Sequence, residues 1–207
     1  MKKFILIVCI LFLSADIAVA QSFGFGPRVG INASKITKGG KEARAGLNVG
    51  VFAGIDFSKL GIEVAAMFSQ QGANYKYVYN YEEFDAKMKL NYINIPVVVK
   101  YNLIGGLDVF LGPQFSALVS AKTKSEKITV NVKDAFKRGD VGGIVGLDYQ
   151  FRLGLNIGVN YSFGFLKTVR KSYDISSSFF DKGDLQTMID RVNGKNGAWQ
   201  LTFGWRF

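Results

Sequence analysis

A closed antiparallel eight-stranded transmembrane β-barrel is the fold class that the sequence predicts, on three observations. Apolar residues alternate with polar or small ones along eight separate stretches, the period of a two-faced strand. The connections between the stretches alternate long and short. The one uninterrupted apolar run, Phe4 to Leu13, is ten residues, too short for a spanning helix of about 20. With 207 residues, 48% of them hydrophobic and 14% aromatic, the chain is not an intrinsically disordered one.

The N-terminal run follows Met1-Lys2-Lys3 and precedes Ala18-Val19-Ala20, an A-x-A cleavage signal before Gln21. Basic start, apolar stretch and small-residue site make a secretory signal peptide. Residues 1–20 are therefore expected to be removed at Ala18, Ala20 and Gln21, leaving residues 21–207 as one barrel domain. Cys9, the single cysteine, lies in the removed segment, so the exported chain has no disulfide.

The first strand alternates Phe23, Phe25, Pro27, Val29, Ile31 and Ala33 with Gly24, Gly26, Arg28, Gly30, Asn32 and Ser34. The second sets Leu47, Val49, Val51, Ala53, Ile55 and Phe57 against Asn48, Gly50, Phe52, Gly54 and Asp56, and the third carries Ile62, Val64, Ala66 and Phe68. The fourth has Ile93, Ile95, Val97, Val99 and Tyr101, with Pro96 mid-strand suggesting a bulge. The fifth has Val109 to Val119, the sixth Val141 to Phe151, the seventh Leu153 to Phe163 and the eighth Trp199 to Phe207. Residues 35–44, 72–88, 121–139 and 165–196 are the long connections, and 58–60, 102–108 and the vicinity of Arg152 the short ones. This is the asymmetry of outer-membrane barrels, long loops outside and short turns in the periplasm.

A soluble lipocalin-like carrier would also alternate, with its apolar face inside. Four features favour the membrane. Thirteen glycines (24, 26, 30, 46, 50, 54, 112, 142, 146, 154, 158, 164 and 204) fall on the polar face, where they would make room for large neighbours in a narrow lumen. Aromatics of the apolar face collect at the periplasmic strand ends: Phe23, Phe57, Tyr101, Phe151, Trp205 and Phe207, an interfacial girdle. The connections are ordered by length. The chain ends on alternate apolar residues, Trp199, Leu201, Phe203, Trp205 and the terminal Phe207, which look like the signal read by the barrel assembly machinery.

Six charges fall on the polar face near the short turns or chain ends: Arg28, Asp56, Glu63, Lys100, Asp148 and Arg206. Three basic and three acidic, they are expected to neutralise one another in the periplasmic half of the lumen. The formal charge is +10, and the excess lies in the long connections: residues 121–139 hold six basic and two acidic residues, and 35–44 four and one. Either these attract lipopolysaccharide phosphates or an acidic protein partner, or they serve as solubilising charge. Tyr75, Tyr77, Tyr79 and Tyr81 before Glu82-Glu83 form either a contact site or a strand extension.

Histidine is absent. That removes the Ser-His and Asp-His pairs used by barrel enzymes as a class, and most metal and haem sites. No enzyme activity, cofactor or metal is expected, and an exported chain is not expected to meet nucleic acid. An eight-stranded barrel is filled by its own side chains, so a general pore is not expected either.

The segment Tyr92-Ile93-Asn94-Ile95-Pro96-Val97-Val98-Val99-Lys100-Tyr101 resembles the "YxxIPxxxKY" strand of the PorT-like outer-membrane β-barrel proteins. Phe136-Lys137-Arg138-Gly139-Asp140-Val141-Gly142 through Gly146-Leu147-Asp148-Tyr149 is similar to that family's "FkxxDxGxxxGxxY" strand, and Gly26 to Ser34 to its "GvkgGlNxS" start. The resemblance implies an outer-membrane location, contact with outer-membrane lipid and the assembly machinery, and possible protein contacts through the outer loops. Most such proteins have no assigned task; one type assists secretion by the type IX route.

Overall fold

The computed structural model describes residues 21–36, 42–79, 82–124, 129–131, 139–165 and 195–207. The expected cleavage site at Ala18 and Ala20 lies outside them. Nine strands are described: β1 (Gln21–Ile36), β2 (Glu42–Phe57), β3 (Leu60–Tyr79), β4 (Glu82–Ile104), β5 (Leu107–Lys124), β6 (Thr129–Asn131), β7 (Gly139–Gln150), β8 (Leu155–Gly164) and β9 (Asn196–Trp205). Short β6 pairs only with the outer end of β5; the other eight are the staves. Every pairing is antiparallel, and β1–β9 and β4–β5 close the ring. Closure removes the free strand edges that lipid could not satisfy.

The side-chain sense is the reverse of a soluble barrel. Phe23, Leu111 and Trp199 are 60–63% exposed on the outside, while Asn156, Ser69 and Ser34 are almost fully buried inside. In water such an exterior would be unstable; in hydrocarbon it is the required surface. The lipocalin-like alternative, with its apolar interior, is therefore set aside.

The short turns share one end. Asn102 N–H donates to the Lys59 carbonyl (2.7 Å), Gln150 N–H to Gly106 (2.8 Å), Arg206 N–H to Gly154 (2.8 Å) and Phe207 N–H to Phe25 (2.9 Å). Adjacent turns and both ends of the barrel chain are thus stitched side by side. Gly105 and Gly106 both have positive φ, as a two-residue type I′ hairpin requires. The aromatics expected at this end are there, with Phe25 and Phe207 rings 5.9 Å apart. A second aromatic group marks the opposite end, where Tyr161 meets Trp199 at 5.0 Å and Phe163 meets Phe165 at 5.5 Å.

Several expected boundaries move. Residues 72–88 are mostly strand, because β3 runs to Tyr79 and β4 starts at Glu82. Tyr75, Tyr77 and Tyr79 thus belong to a strand extension, and Tyr81 lies outside the described residues. The 102–108 connection shrinks to a turn at Gly105-Gly106, and Leu153 lies in a turn rather than in a strand. Gly154 belongs to that turn, with φ +94°, and is not a lumen glycine. Pro96 lies in a gap in the ladder to β3 but pairs with Gln114 of β5, and it shifts neither register; the irregularities of β4 against β5 fall at Asn91/Tyr92 and Asn102/Ile104.

The remaining lumen glycines stand opposite bulky side chains. Gly146 pairs with Phe110, whose ring lies 2.7 Å from where a Cβ would be, and the Asn160 Cβ and Val159 carbonyl are as close. Gly50 is covered in the same way by Met67. Gly146→Val is expected to lower stability by about 1–3 kcal/mol through overpacking. Gly139→Ala, where a Cβ meets nothing nearer than 3.9 Å, should change it by no more than about 0.5 kcal/mol. Urea unfolding of the refolded barrels measures both.

Candidate functional site

Even positions of β1, β2, β4, β7, β8 and β9 and odd positions of β3 point inward, so strand parity alone delivers the charged side chains to the lumen. Four of the six expected residues form one chain of ion pairs. Arg28 clasps Glu63 with two hydrogen bonds, 2.6 and 3.1 Å. Lys100 Nζ lies 3.6 Å from Glu63 and 2.9 Å from Asp148. Glu63, Lys100 and Asp148 are each about 5% exposed or less, deep enough that an unpaired charge there would be very costly. The Arg28 guanidinium also sits 4.2 Å from the centre of the Phe52 ring, a cation–π contact at a desolvated site.

The other two expected members form a separate pair. Arg206 meets Asp56 at 2.7 Å, but the Asp56 side chain is 37% exposed. This pair sits at the periplasmic mouth, where water weakens it. One member was missed. Asp108 lies 3.2 Å from Lys100 and accepts a 2.7 Å hydrogen bond from Asn102 Nδ2. It was assigned to a connection, yet its even number matches the inward residues Phe110, Gly112 and Gln114 of the same strand. With it the connected cluster holds two basic and three acidic side chains, and the two groups together three and four, not the balanced three and three.

The register explains how a narrow barrel accommodates these groups. Arg28 stands opposite Gly50 on β2 and Gly204 on β9. Glu63 stands opposite Gly54, Lys100 opposite Gly61 and Asp148 opposite Gly158. Each long or charged side chain lies over a position with no side chain of its own. Gly24 does the same for Arg206, which occupies the space where a Cβ would project.

Above the charges the lumen is crossed by side-chain amides. Asn32 donates to Asn48 (2.8 Å), Asn48 to Gln200 (3.0 Å) and Gln200 to Ser162 (3.1 Å). Asn196 donates to Gln71, and Gln71 to Ser69 (3.0 Å). These bonds tie β8, β9, β1, β2 and β3 together across the interior. A cavity of about 20 Å³ bounded by Gln71, Tyr92, Gln114, Asp140, Ser162 and Asn196 has room for about one water molecule. Apolar lumen residues complete the filling, Phe52 with Ala65 and Met67 on one side and Val98 with Phe110 and Ile144 on the other.

Trp199, Leu201, Phe203, Trp205 and Phe207 form a single outward row along β9 and its end. Phe207 is 68% exposed and touches the barrel through its backbone bond and ring contact to Phe25.

Residues 19–170 match the sequence profile of the outer membrane protein β-barrel domain family. No curated protein sequence matches the chain. Among solved structures it is similar to Neisserial surface protein A, with 12% identity, a TM-score of 0.52, and coverage of 91% of this chain and 99% of that one. It is also similar to Ail, the attachment invasion locus protein of Yersinia pestis, in a complex with the heparin analogue sucrose octasulfate (16% identity, TM-score 0.48, coverage 90% and 99%). OprG from Pseudomonas aeruginosa is a third (13% identity, TM-score 0.40, coverage 93% and 99%).

Proposed function

We propose, from the premise that this chain belongs to the outer membrane protein β-barrel domain family and resides in the outer membrane, that it is a non-conducting barrel with an envelope-structural or interaction role. The observation that carries this reading is the doubly closed lumen. An ionic layer of Arg28, Glu63, Lys100, Asp108 and Asp148 fills the periplasmic half, and the amide layer centred on Asn48 and Gln200 lies above it. An ion crossing the barrel would have to break both layers, leaving buried charges and amides without partners. Catalysis is no part of this reading.

The narrower PorT-type secretion role rests on the motif strand of β4. Tyr92, Pro96 and Lys100 of the motif strand all face the interior, where they are accounted for by barrel construction. Ile95 and Tyr101, the other two motif residues, lie on the exposed outer face.

Conductance tests the reading. Purified protein in planar bilayers is expected to give no large, steady current. A stable porin-sized current would overturn the proposal, since it requires more staves or an oligomeric pore.

A further inference from the structure

The outer ends of β4 and β5 bring lysines face to face. Lys89 lies directly opposite Lys122, and the next positions in the same register set Lys87 opposite Lys124. Like charges directly opposite on antiparallel strands are destabilising. The flanking strands supply no acid in register: Lys89 and Lys87 lie beside Gly72 and Asn74 of β3, and Lys122 and Lys124 beside Asn131 and Thr129 of β6. Lys89 and Lys122 are exposed, and neither forms an ion pair with a described residue.

Their height on the barrel decides what meets them. Outward residues of β4 run Tyr101, Val99, Val97, Ile95, Ile93, then Asn91 and Lys89. From Tyr101 to Lys89 is about 40 Å along the strand. At a tilt of roughly 40° that is about 30 Å of height, just beyond an apolar band about 25 Å tall. On β5 the outward apolar row ends at Val119, and the bulge opposite Asn91/Tyr92 turns Lys122 outward. The pair therefore faces the lipid at the level of the outer headgroups. Lys35 ends the apolar row of β1 similarly, but it stands opposite Gly197, with no second lysine.

We propose that the Lys89–Lys122 pair is a binding site for a phosphomonoester of an outer-leaflet glycolipid of the lipid A type. A phosphomonoester carries a charge of about −1.5 to −2 and three acceptor oxygens. Placed between two ammonium groups, it converts their repulsion into two attractions. A phosphodiester, with one negative charge, leaves part of the repulsion in place. The site rests on the outer-membrane location and not on the closed lumen.

The test uses the full-length barrel in zwitterionic detergent and the variant K89Q/K122Q, its folding checked by heat-dependent gel mobility. Bisphosphorylated lipid A, enzymatically dephosphorylated lipid A, phosphatidylglycerol and inorganic phosphate are titrated against each. The wild type is expected to bind bisphosphorylated lipid A at least about tenfold more tightly than any other probe. The double substitution should weaken that binding by roughly 30-fold, the effect of two lysines near a charged surface. Thermal unfolding should reverse in sign: without lipid A the variant is as stable as the wild type or more so, and with lipid A it is less stable. Equal binding of lipid A by wild type and variant overturns the proposal, as does equal affinity for the dephosphorylated lipid. Equal affinity for phosphatidylglycerol makes the pair a general anionic-lipid contact and overturns it too. Equal binding of inorganic phosphate overturns the assignment to lipid.

Discussion

Lys100→Ala is expected to destabilise the folded barrel by about 3–5 kcal/mol, the cost of breaking a buried ion pair from one side. Lys100 Nζ is within 3.6 Å of three carboxylates, those of Glu63, Asp108 and Asp148. Among the described residues only Glu63 has a second cation, Arg28. Without Lys100, Asp148, which is only 4% exposed, loses the cation that pairs with it. Glu63→Ala should cost a similar amount, because it leaves the buried Arg28 guanidinium without its carboxylate partner, while Lys100 keeps Asp108 and Asp148. The double variant is expected to cost less than the two singles together by about 0.5–3 kcal/mol, since each substitution removes part of what the other leaves unpaired. Asp56→Ala is the internal control. Its carboxylate is more than a third exposed, and its loss should cost about 0–1 kcal/mol. Urea unfolding in detergent or lipid measures the series. Additive losses below about 1 kcal/mol for Lys100 and Glu63 would mean that water reaches the cluster and that it does not close the barrel.

How the six charges are arranged was only partly legible in the sequence. Parity is a property of a single strand, and it placed Arg28, Glu63, Lys100 and Asp148 on the inner face without any knowledge of neighbours. Which of them touch depends on register, the stagger between adjacent strands, and no single strand's alternation contains it. Hence the chain from Arg28 to Asp148 and the separate Arg206–Asp56 pair emerge only once strands are aligned. The same holds for the glycines. The inward face of Gly204, Gly54 and Gly158 was readable, but not that they lie opposite particular charged residues, and Gly61, opposite Lys100, was not among the glycines read as inward. Asp108 was missed for a different reason. Turn length was overestimated around Gly105-Gly106, so a strand residue was given to a loop. The same error recurred at residues 72–88, where alternation continues in polar residues after the apolar stripe has ended, and pairing continues with it.

Deleting Phe207 is expected to reduce folded protein in the outer membrane several-fold while leaving the stability of the assembled barrel nearly unchanged. The two effects separate because of where the residue sits. Its side chain is 68% exposed on the lipid face, and its N–H donates one 2.9 Å bond to Phe25. Removing one such hydrogen bond costs about 1 kcal/mol net. Against a typical stability of about 5–15 kcal/mol, that loss leaves the folded fraction above about 99%. A several-fold fall in yield must then arise before folding is complete, at the step where the row Trp199, Leu201, Phe203, Trp205 and Phe207 would be read by the assembly machinery. Outer-membrane fractionation gives the yield; urea unfolding of the same variant, refolded from denaturant, gives the stability. Unchanged yield would count against the assembly signal. A stability loss of several kcal/mol would make Phe207 a structural clasp of the β1–β9 seam instead. Phe207→Ala divides the contributions further: it keeps the backbone bond to Phe25 and removes only the ring. If the ring is what the machinery recognises, this variant should lose yield like the deletion and retain the stability of the wild type.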